Sequence, residues 1–109
     1  MEDKKSFSLL VAIVKRGYSE SAMSAAREAG ARGGTVFNAR GTGSLEAQKF
    51  LGVPIEPEKE VLLILAEKSV RQDIMRAIYK EAGLETNGNG IVFALPVEDV
   101  VGAFTKFNN

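Results

Sequence analysis

Two glycine-rich segments carry the residues best suited to binding an anion. They are residues 40–44, with the sequence RGTGS, and residues 88–90, with the sequence GNG. Glycine lets backbone amides approach phosphate oxygens closely, and a run of such amides forms an anion-binding nest. Arg40 adds a planar, forked cation that suits phosphate. Both segments also fit simple turns, and neither has the Gly-Lys-Ser/Thr ending of a P-loop.

The residue types exclude several kinds of catalysis. The chain has no cysteine and no histidine, so disulfides, thiolate metal sites and triads with a histidine base cannot form. The acidic residues Glu56, Glu58 and Glu60 fit a solvated loop edge, and Glu98 and Asp99 fit the first turn of a helix. Neither group has a histidine beside it to act as base or metal ligand. The sequence therefore favours a protein that is not an enzyme, and it requires no metal.

Charge and hydropathy indicate a protein that acts in the cytoplasm without nucleic acid. Basic and acidic residues number 14 each among 109 residues, so no global field attracts nucleic acid or an anionic membrane. Phe7, Phe37 and Phe93 fall in predicted strands and are expected to be core rather than base-stacking residues. The N-terminal residues do not resemble a signal peptide. The longest apolar run, residues 61–66, is far shorter than a membrane span.

Strand and helix signals alternate along the first half. Residues 7–14 predict a strand, and Ser19 is a candidate N-cap for a helix that runs to Ala29. Residues 35–40 predict a second strand. A loop then occupies residues 41–57, and residues 45–51 within it could form a helical turn.

The second half repeats this order. Residues 59–67 predict a strand, and Ser69 with Gln72 forms a candidate capping box for a helix that ends before Gly83. Residues 91–95 predict a strand that Pro96 is expected to stop, and residues 98–104 predict a short last helix.

The two halves resemble each other, which predicts the fold. Residues 27–30 (REAG) are echoed by residues 80–83 (KEAG), each before a loop and a strand. A repeated βαβ unit is the signature of a ferredoxin-like βαββαβ domain. We therefore expect an α+β fold over residues 1–109 as one domain, with a four-stranded antiparallel sheet and both helices on one face.

The predicted strands are apolar on both faces. Residues 61–66 (VLLILA) and 9–14 (LLVAIV) show no alternation of apolar and polar side chains. A sheet covered by helices on one side should alternate, because its other side meets water. The second face would expose a large apolar patch, and burial against copies of the chain in a closed ring is the simplest remedy. A partner of different sequence, or an unusually apolar monomer, remains an alternative.

The order of these motifs resembles the nitrogen regulatory protein P-II family. Residues 14–44 look like the first half of such a protein, and residues 57–67 resemble the strand that closes its long T-loop. Residues 88–93 (GNGIVF) resemble the Gly-acidic-Gly B-loop and the strand after it. The resemblance implies a homotrimer with ligand sites in clefts between subunits. It also implies that residues 41–57 form a T-loop-like flexible loop.

The resemblance also implies a function and a set of site residues. P-II proteins bind ATP or ADP and regulate a partner protein through the T-loop, so ATP, ADP or AMP is the expected regulatory ligand and an unidentified protein, such as a membrane transporter, is the expected partner. Phe50, Leu51, Val53 and Ile55 are candidate partner contacts. The residues implied near the nucleotide are Thr35, Val36, Arg40, Gly41, Thr42, Gly43, Lys59, Gly88, Asn89 and Gly90.

The chain departs from the family pattern in its cations. Ile91 stands where the family usually has a lysine, the C-terminal segment contains only Lys106, and the loop of residues 41–57 has no tyrosine to be nucleotidylylated. Fewer cations imply weaker binding of a triphosphate. Two alternatives remain open, namely a trimeric divalent-cation-binding protein of the CutA type and an assembly module without a ligand.

Overall fold

The chain alternates strands and helices in the order βαββαβ. The computed structural model describes residues 6–42, 52, 57–86 and 89–102. The strands are β1 (Phe7–Lys15), β2 (Thr35–Arg40), β3 (Glu58–Glu67) and β4 (Gly90–Val97), and the helices are α1 (Ser19–Glu28) and α2 (Lys68–Glu81). The four predicted strands and the first two predicted helices are therefore confirmed to within a few residues at each end.

The strands form a single four-stranded sheet in the order β2-β3-β1-β4. All three neighbouring pairs are antiparallel. The two helices connect strands of this sheet, which confirms the ferredoxin-like architecture expected from the repeated βαβ units.

The hydrophobic core lies between the helices and one face of the sheet. Alternate residues of β1 and of the second half of β3 are buried there, and the helices add small and branched side chains. The alternation arises because successive side chains in a strand point to opposite faces. The most buried members are Leu10, Ala12, Val14, Ala22, Ala26, Leu62, Ile64, Ile74 and Ile78.

The other face of the sheet is apolar and is covered by neither α1 nor α2, and we call it the open face. Leu9, Val11 and Ile13 of β1 lie opposite Leu65, Leu63 and Val61 of β3 and opposite Leu95, Phe93 and Ile91 of β4. The residues of β4 are the most accessible, with 54% of Ile91 and 46% of Leu95 exposed. The lack of alternation seen in the sequence thus corresponds to a real two-sided apolar sheet.

Two predicted chain signals differ from the structure near the last strand. β4 continues through Pro96 to Val97, whereas Pro96 was expected to end it. β4 is an edge strand of this sheet. A proline is tolerated in such a strand when its nitrogen, which carries no hydrogen, faces away from the neighbouring strand. Residues 98–102 are not helical, so the predicted last helix is wrong over that part. The rest of that helix, and the helical turn of residues 45–51, fall outside the described residues.

Both helices begin without the predicted side-chain caps. α1 starts at Ser19 itself, with Tyr18 in the N-cap position, and α2 starts at Lys68, one residue before Ser69. β3 runs directly into α2, so its last residue, Glu67, takes the extended N-cap conformation. The amide of Lys68 donates to the carbonyl of Ser6 at 2.9 Å. Contacts from other parts of the fold thus satisfy amides that the sequence assigned to local caps.

Candidate functional site

A groove opens on the open face beside the start of β2. Its volume is about 430 Å³, and it is lined by Leu9, Arg32, Gly33, Gly34, Thr35, Leu63 and Leu65. β2 begins opposite Leu63, so β3 continues beyond the end of its neighbour and leaves this space uncovered. The leucines give the groove an apolar floor, the glycines contribute backbone, and Arg32 adds a cation. Such a mixture suits a flat organic ligand with a polar edge.

The two predicted base-binding residues lie on different faces of β2. Thr35 lines the groove. Val36 pairs with Leu62, which points toward the helices, so Val36 belongs to the opposite face of the strand. The structure therefore places Thr35, and not Val36, at the groove.

The first glycine-rich segment lies at the other end of β2. There the amide of Gly41 donates to the carbonyl of Pro57 at 2.8 Å and closes the base of the loop of residues 41–57. The side chain of Lys59 lies across Gly41, because a Cβ added to that glycine would be 3.4 Å from Lys59 Cε. Arg40 pairs with Glu58 in the ladder, and Arg40 and Thr42 are exposed. The structure thus brings Arg40, Gly41, Thr42 and Lys59 together.

The second glycine-rich segment opens β4. Gly90 has φ +145°, and a Cβ there would overlap the carbonyl oxygen of Ile13. The position therefore accepts only glycine without distortion. The side-chain amide of Asn89 donates to the carbonyl of Gly83 at 3.0 Å, which ties the segment to the end of α2. Gly88 and Gly43 lie outside the described residues.

The base of the loop is fastened to the turn between β1 and α1. Arg16 forms an ion pair with Glu58 at 2.7 Å. Glu60 Oε1 accepts hydrogen bonds from the amides of Gly17 and Ser19 at 2.8 and 3.1 Å. Partial burial alone would raise the pKa of Glu60, but the hydrogen bonds from Ser19 and Gly17 outweigh it and hold that pKa below its ordinary value.

Within one subunit, the groove and the glycine-rich segments lie at opposite ends of the sheet. Thr35 and Arg40 are separated by the length of the strand, about 17 Å at about 3.4 Å per residue. Gly41 and Gly90 lie at the same end of the sheet but on its two edge strands, about 14 Å apart across three strand spacings. The chain therefore presents a groove at one end of the open face and two glycine turns at the other.

Three residues at these places were not identified from the sequence as site residues. Arg32 lines the groove, Glu60 holds the turn before α1, and Lys15 pairs with Lys59 across β1 and β3. Alternation along β1 does place Lys15 on the face of Ile13. Its neighbour on β3 depends on strand register, which the sequence did not provide.

The described residues contain no group of three His, Cys, Asp or Glu side chains that could hold a metal ion. None of the helices within the described ranges is long and apolar enough to cross a membrane.

These features define a class of protein. They are a ferredoxin-like sheet with one open apolar face, a groove at one end and glycine turns beside lysines at the other, which is the class of small α+β modules with an uncovered sheet face. A family model described as Nitrogen regulatory protein P-II matches residues 7–106. The chain therefore belongs to the nitrogen regulatory protein P-II family.

A solved structure supports this assignment. The chain is similar to the structure titled "Crystal Structure of Arabidopsis thaliana PII bound to citrate", with 26% identity and a TM-score of 0.73. The similarity covers 95% of this chain and 89% of that chain. No curated protein sequence matches this chain. P-II family proteins are regulators of partner proteins rather than enzymes, and they respond to small effectors.

Proposed function

We propose that this chain is a cytoplasmic P-II-like regulator that senses an adenine nucleotide between the subunits of a homotrimer. The observation that carries the proposal is the separation of the groove from the glycine turns. An apolar groove at one end of the open face suits a base, and glycine turns beside cations at the other end suit phosphates. A nucleotide would be held by the groove of one subunit and the glycine turns of the next.

The open face supports the trimer. Ile91, Phe93 and Leu95 are large apolar side chains on one edge strand, and each is more than a third exposed. Together with the apolar residues of β1 and β3 they make a patch that soluble monomers rarely leave in water. A closed ring of copies would cover it and would bring each groove beside a neighbouring subunit.

The loop of residues 41–57 is the proposed contact to a regulated protein, such as a membrane transporter. The hydrogen bond between Gly41 and Pro57 closes the base of this loop, and the pairing of β2 with β3 holds its two ends side by side. A ligand changes the state of such a loop only if it binds one state better than the other. Phosphates bound at Gly41 contact the loop at its base, and they would meet this condition if the Gly41 amide is placed differently in the two states.

Isothermal titration with ATP, ADP and AMP tests the nucleotide, and sedimentation tests the trimer. We expect binding of one nucleotide per subunit to a species with three times the mass of the chain. Lys49 is the only lysine or arginine between Gly41 and Pro57, so the rate of tryptic cleavage there reports on the loop. Bound nucleotide should change that rate. Absence of heat and of any shift in melting temperature with all three nucleotides would contradict the proposal.

The same titrations address the CutA-like alternative. Magnesium, calcium and manganese ions, added without nucleotide, should produce no binding heat if the proposal is correct. Only oxygen ligands could hold them, since histidine and cysteine are absent from the sequence. A saturable response to one of these ions alone would favour the alternative.

A further inference from the structure

Asn89 lies where the turns after α2 lead into β4, and its side chain is tied to the end of the helix. The side-chain amide donates to the carbonyl of Gly83 at 3.0 Å. The same carbonyl accepts the backbone amide of Thr86 at 3.1 Å, and the carbonyl of Thr86 accepts the backbone amide of Asn89 at 3.2 Å. Gly83 has φ +65°, the left-handed conformation typical of the residue that ends a helix. The side chain of Asn89 therefore fastens the start of β4 to the end of α2.

Asn89 is followed by Gly90, and this pair of residues has a chemistry of its own. The backbone nitrogen after an asparagine can attack the carbonyl carbon of the asparagine side chain. A glycine in the second position hinders the attack least, because it has no Cβ and its backbone moves most freely. The sequence contains two such pairs, at residues 87–88 and 89–90. Residues 87–88 lie outside the described residues, so the contacts of Asn89 carry the argument.

The fold restrains both groups that would react. The side-chain amide of Asn89 is held on Gly83, and a Cβ added to that glycine would lie 3.2 Å from Nδ2 of Asn89. Gly90 is the first residue of β4 and pairs with Val14, and the carbonyl oxygen of Ile13 fills the space where a Cβ of Gly90 would be. The attack therefore requires local opening at the start of β4. Local opening costs less free energy than global unfolding, so the fold slows the reaction without preventing it.

We propose that Asn89 is a site of spontaneous deamidation, slowed by its hydrogen bond to Gly83, and that its conversion to aspartate loosens the connection between α2 and β4. The nitrogen of Gly90 forms a bond to Cγ of Asn89 and loses its proton, while the bond from Cγ to Nδ2 breaks and ammonia leaves. Water then opens the succinimide ring to an aspartyl or isoaspartyl residue. The sum is asparagine and water giving aspartate and ammonia, with no oxidant or reductant. This inference does not depend on the proposed nucleotide site.

The product of the reaction opposes the contact that Asn89 makes. An ionised carboxylate accepts hydrogen bonds but donates none, so it cannot bond to the carbonyl of Gly83. That carbonyl lies just beyond the C-terminal end of α2, where the helix dipole also disfavours a negative charge. Both effects act in the same direction. Deamidation should therefore destabilise the folded chain.

Ageing of the full-length chain at pH 8 tests the site. The variant Asn87→Gln leaves residues 89–90 as the single asparagine–glycine pair, and peptide mapping by mass spectrometry locates aspartate and isoaspartate. A synthetic peptide of residues 84–93 with the same substitution gives the rate without the fold in the same buffer. We expect Asn89 to convert about fivefold more slowly in the folded chain than in the peptide, the factor that one hydrogen bond implies.

A defined variant tests the consequence of the conversion. Asn89→Asp should melt about 5 °C below the parent, the shift expected for the loss of one hydrogen bond in a domain of this size. Gln72→Glu is the matched control, because it adds the same charge at an exposed position of α2. The control should melt within about 2 °C of the parent.

Three results would overturn the inference. Equal rates in the folded chain and the peptide would show that the contact with Gly83 gives no protection. A folded chain without conversion by the time the peptide has converted completely would show that Asn89 is not a modification site. An Asn89→Asp variant that melts at the temperature of the parent would show that conversion leaves the connection between α2 and β4 intact.

Discussion

The carboxylate of Glu60 accepts the backbone amide of Gly17 at 2.8 Å, across a sequence separation of 43 residues. The same oxygen accepts the amide of Ser19, the first residue of α1. One side chain from β3 therefore accepts the first amide of a helix in the other half of the chain. It also fastens that helix to the strand that leaves the loop of residues 41–57.

Replacement of Glu60 should reduce stability and flatten its dependence on pH. The pKa of Glu60 is lower in the folded state than in the unfolded state. The ionised side chain therefore stabilises the fold at pH values above the unfolded pKa of about 4.3. That contribution is lost as the pH falls through the lower pKa of the folded state. Glu60→Gln should cost about 1 kcal/mol in the free energy of unfolding at pH 7. Urea unfolding between pH 7 and pH 3 measures both effects.

The control for this prediction is Glu85→Gln, because Glu85 is an exposed residue in the turns after α2. That variant should lie within about 0.5 kcal/mol of the parent at pH 7. If Glu60→Gln and the parent lose stability equally between pH 7 and pH 3, the role of the Glu60 charge is wrong.

A charge on the open face should dissociate the proposed trimer. Phe93 lies on that face, and 38% of its surface is exposed in the single chain. Phe93→Glu would bury a carboxylate in each interface, so sedimentation should show single chains at micromolar concentration. Tyr79, with 44% of its surface exposed on α2, provides the matched control. Tyr79→Glu should leave the assembly unchanged, and a trimeric Phe93→Glu variant would place the interface elsewhere.

Alanine at position 90 should be strongly destabilising, whereas alanine at position 33 should not. Gly90 combines φ +145° with a carbonyl oxygen in the space a Cβ would occupy. The backbone must shift to accept alanine, at a cost of about 2 kcal/mol or more. Gly33 has no atom within 4 Å of its Cβ position, so Gly33→Ala should change the free energy of unfolding by less than about 0.5 kcal/mol. Equal melting temperatures for the two variants would contradict the geometry at β4.

A double-mutant cycle should reveal coupling between β1 and α2 at Ser8. Ser8 is completely buried, and its hydroxyl accepts a hydrogen bond from Arg71 Nη1 at 3.0 Å. Arg71→Met would leave that hydroxyl without its charged donor and should cost about 1–3 kcal/mol. Ser8→Ala removes the buried acceptor, so the double variant should be less destabilised than the sum of the single variants by about 1 kcal/mol. Additive losses in urea unfolding would show that the contact contributes nothing.

Local signals predicted the elements and the architecture because those signals act over a few residues. The apolar runs of β1 and β3 and the helix end before Gly83 were all readable from neighbouring positions. The repeated βαβ order then led to the ferredoxin-like sheet, and the two-sided apolar strands indicated an uncovered face. Local reasoning was wrong at Ser19 and Ser69, where each serine lies inside its helix rather than capping it. In both cases a distant contact or a continuous strand determined where the helix began.

The sequence by itself determined the strands and helices, their order and the chemical groups available for binding. Each of these depends on residue type and close spacing. Only the tertiary structure decided that Lys15 faces Lys59, that Glu60 reaches the start of α1, and that Thr35 lines a groove while Val36 does not. Those relationships depend on strand register and on which strands become neighbours. Register is fixed by packing across the whole sheet, and a shift of one residue would turn every one of these side chains to the other face.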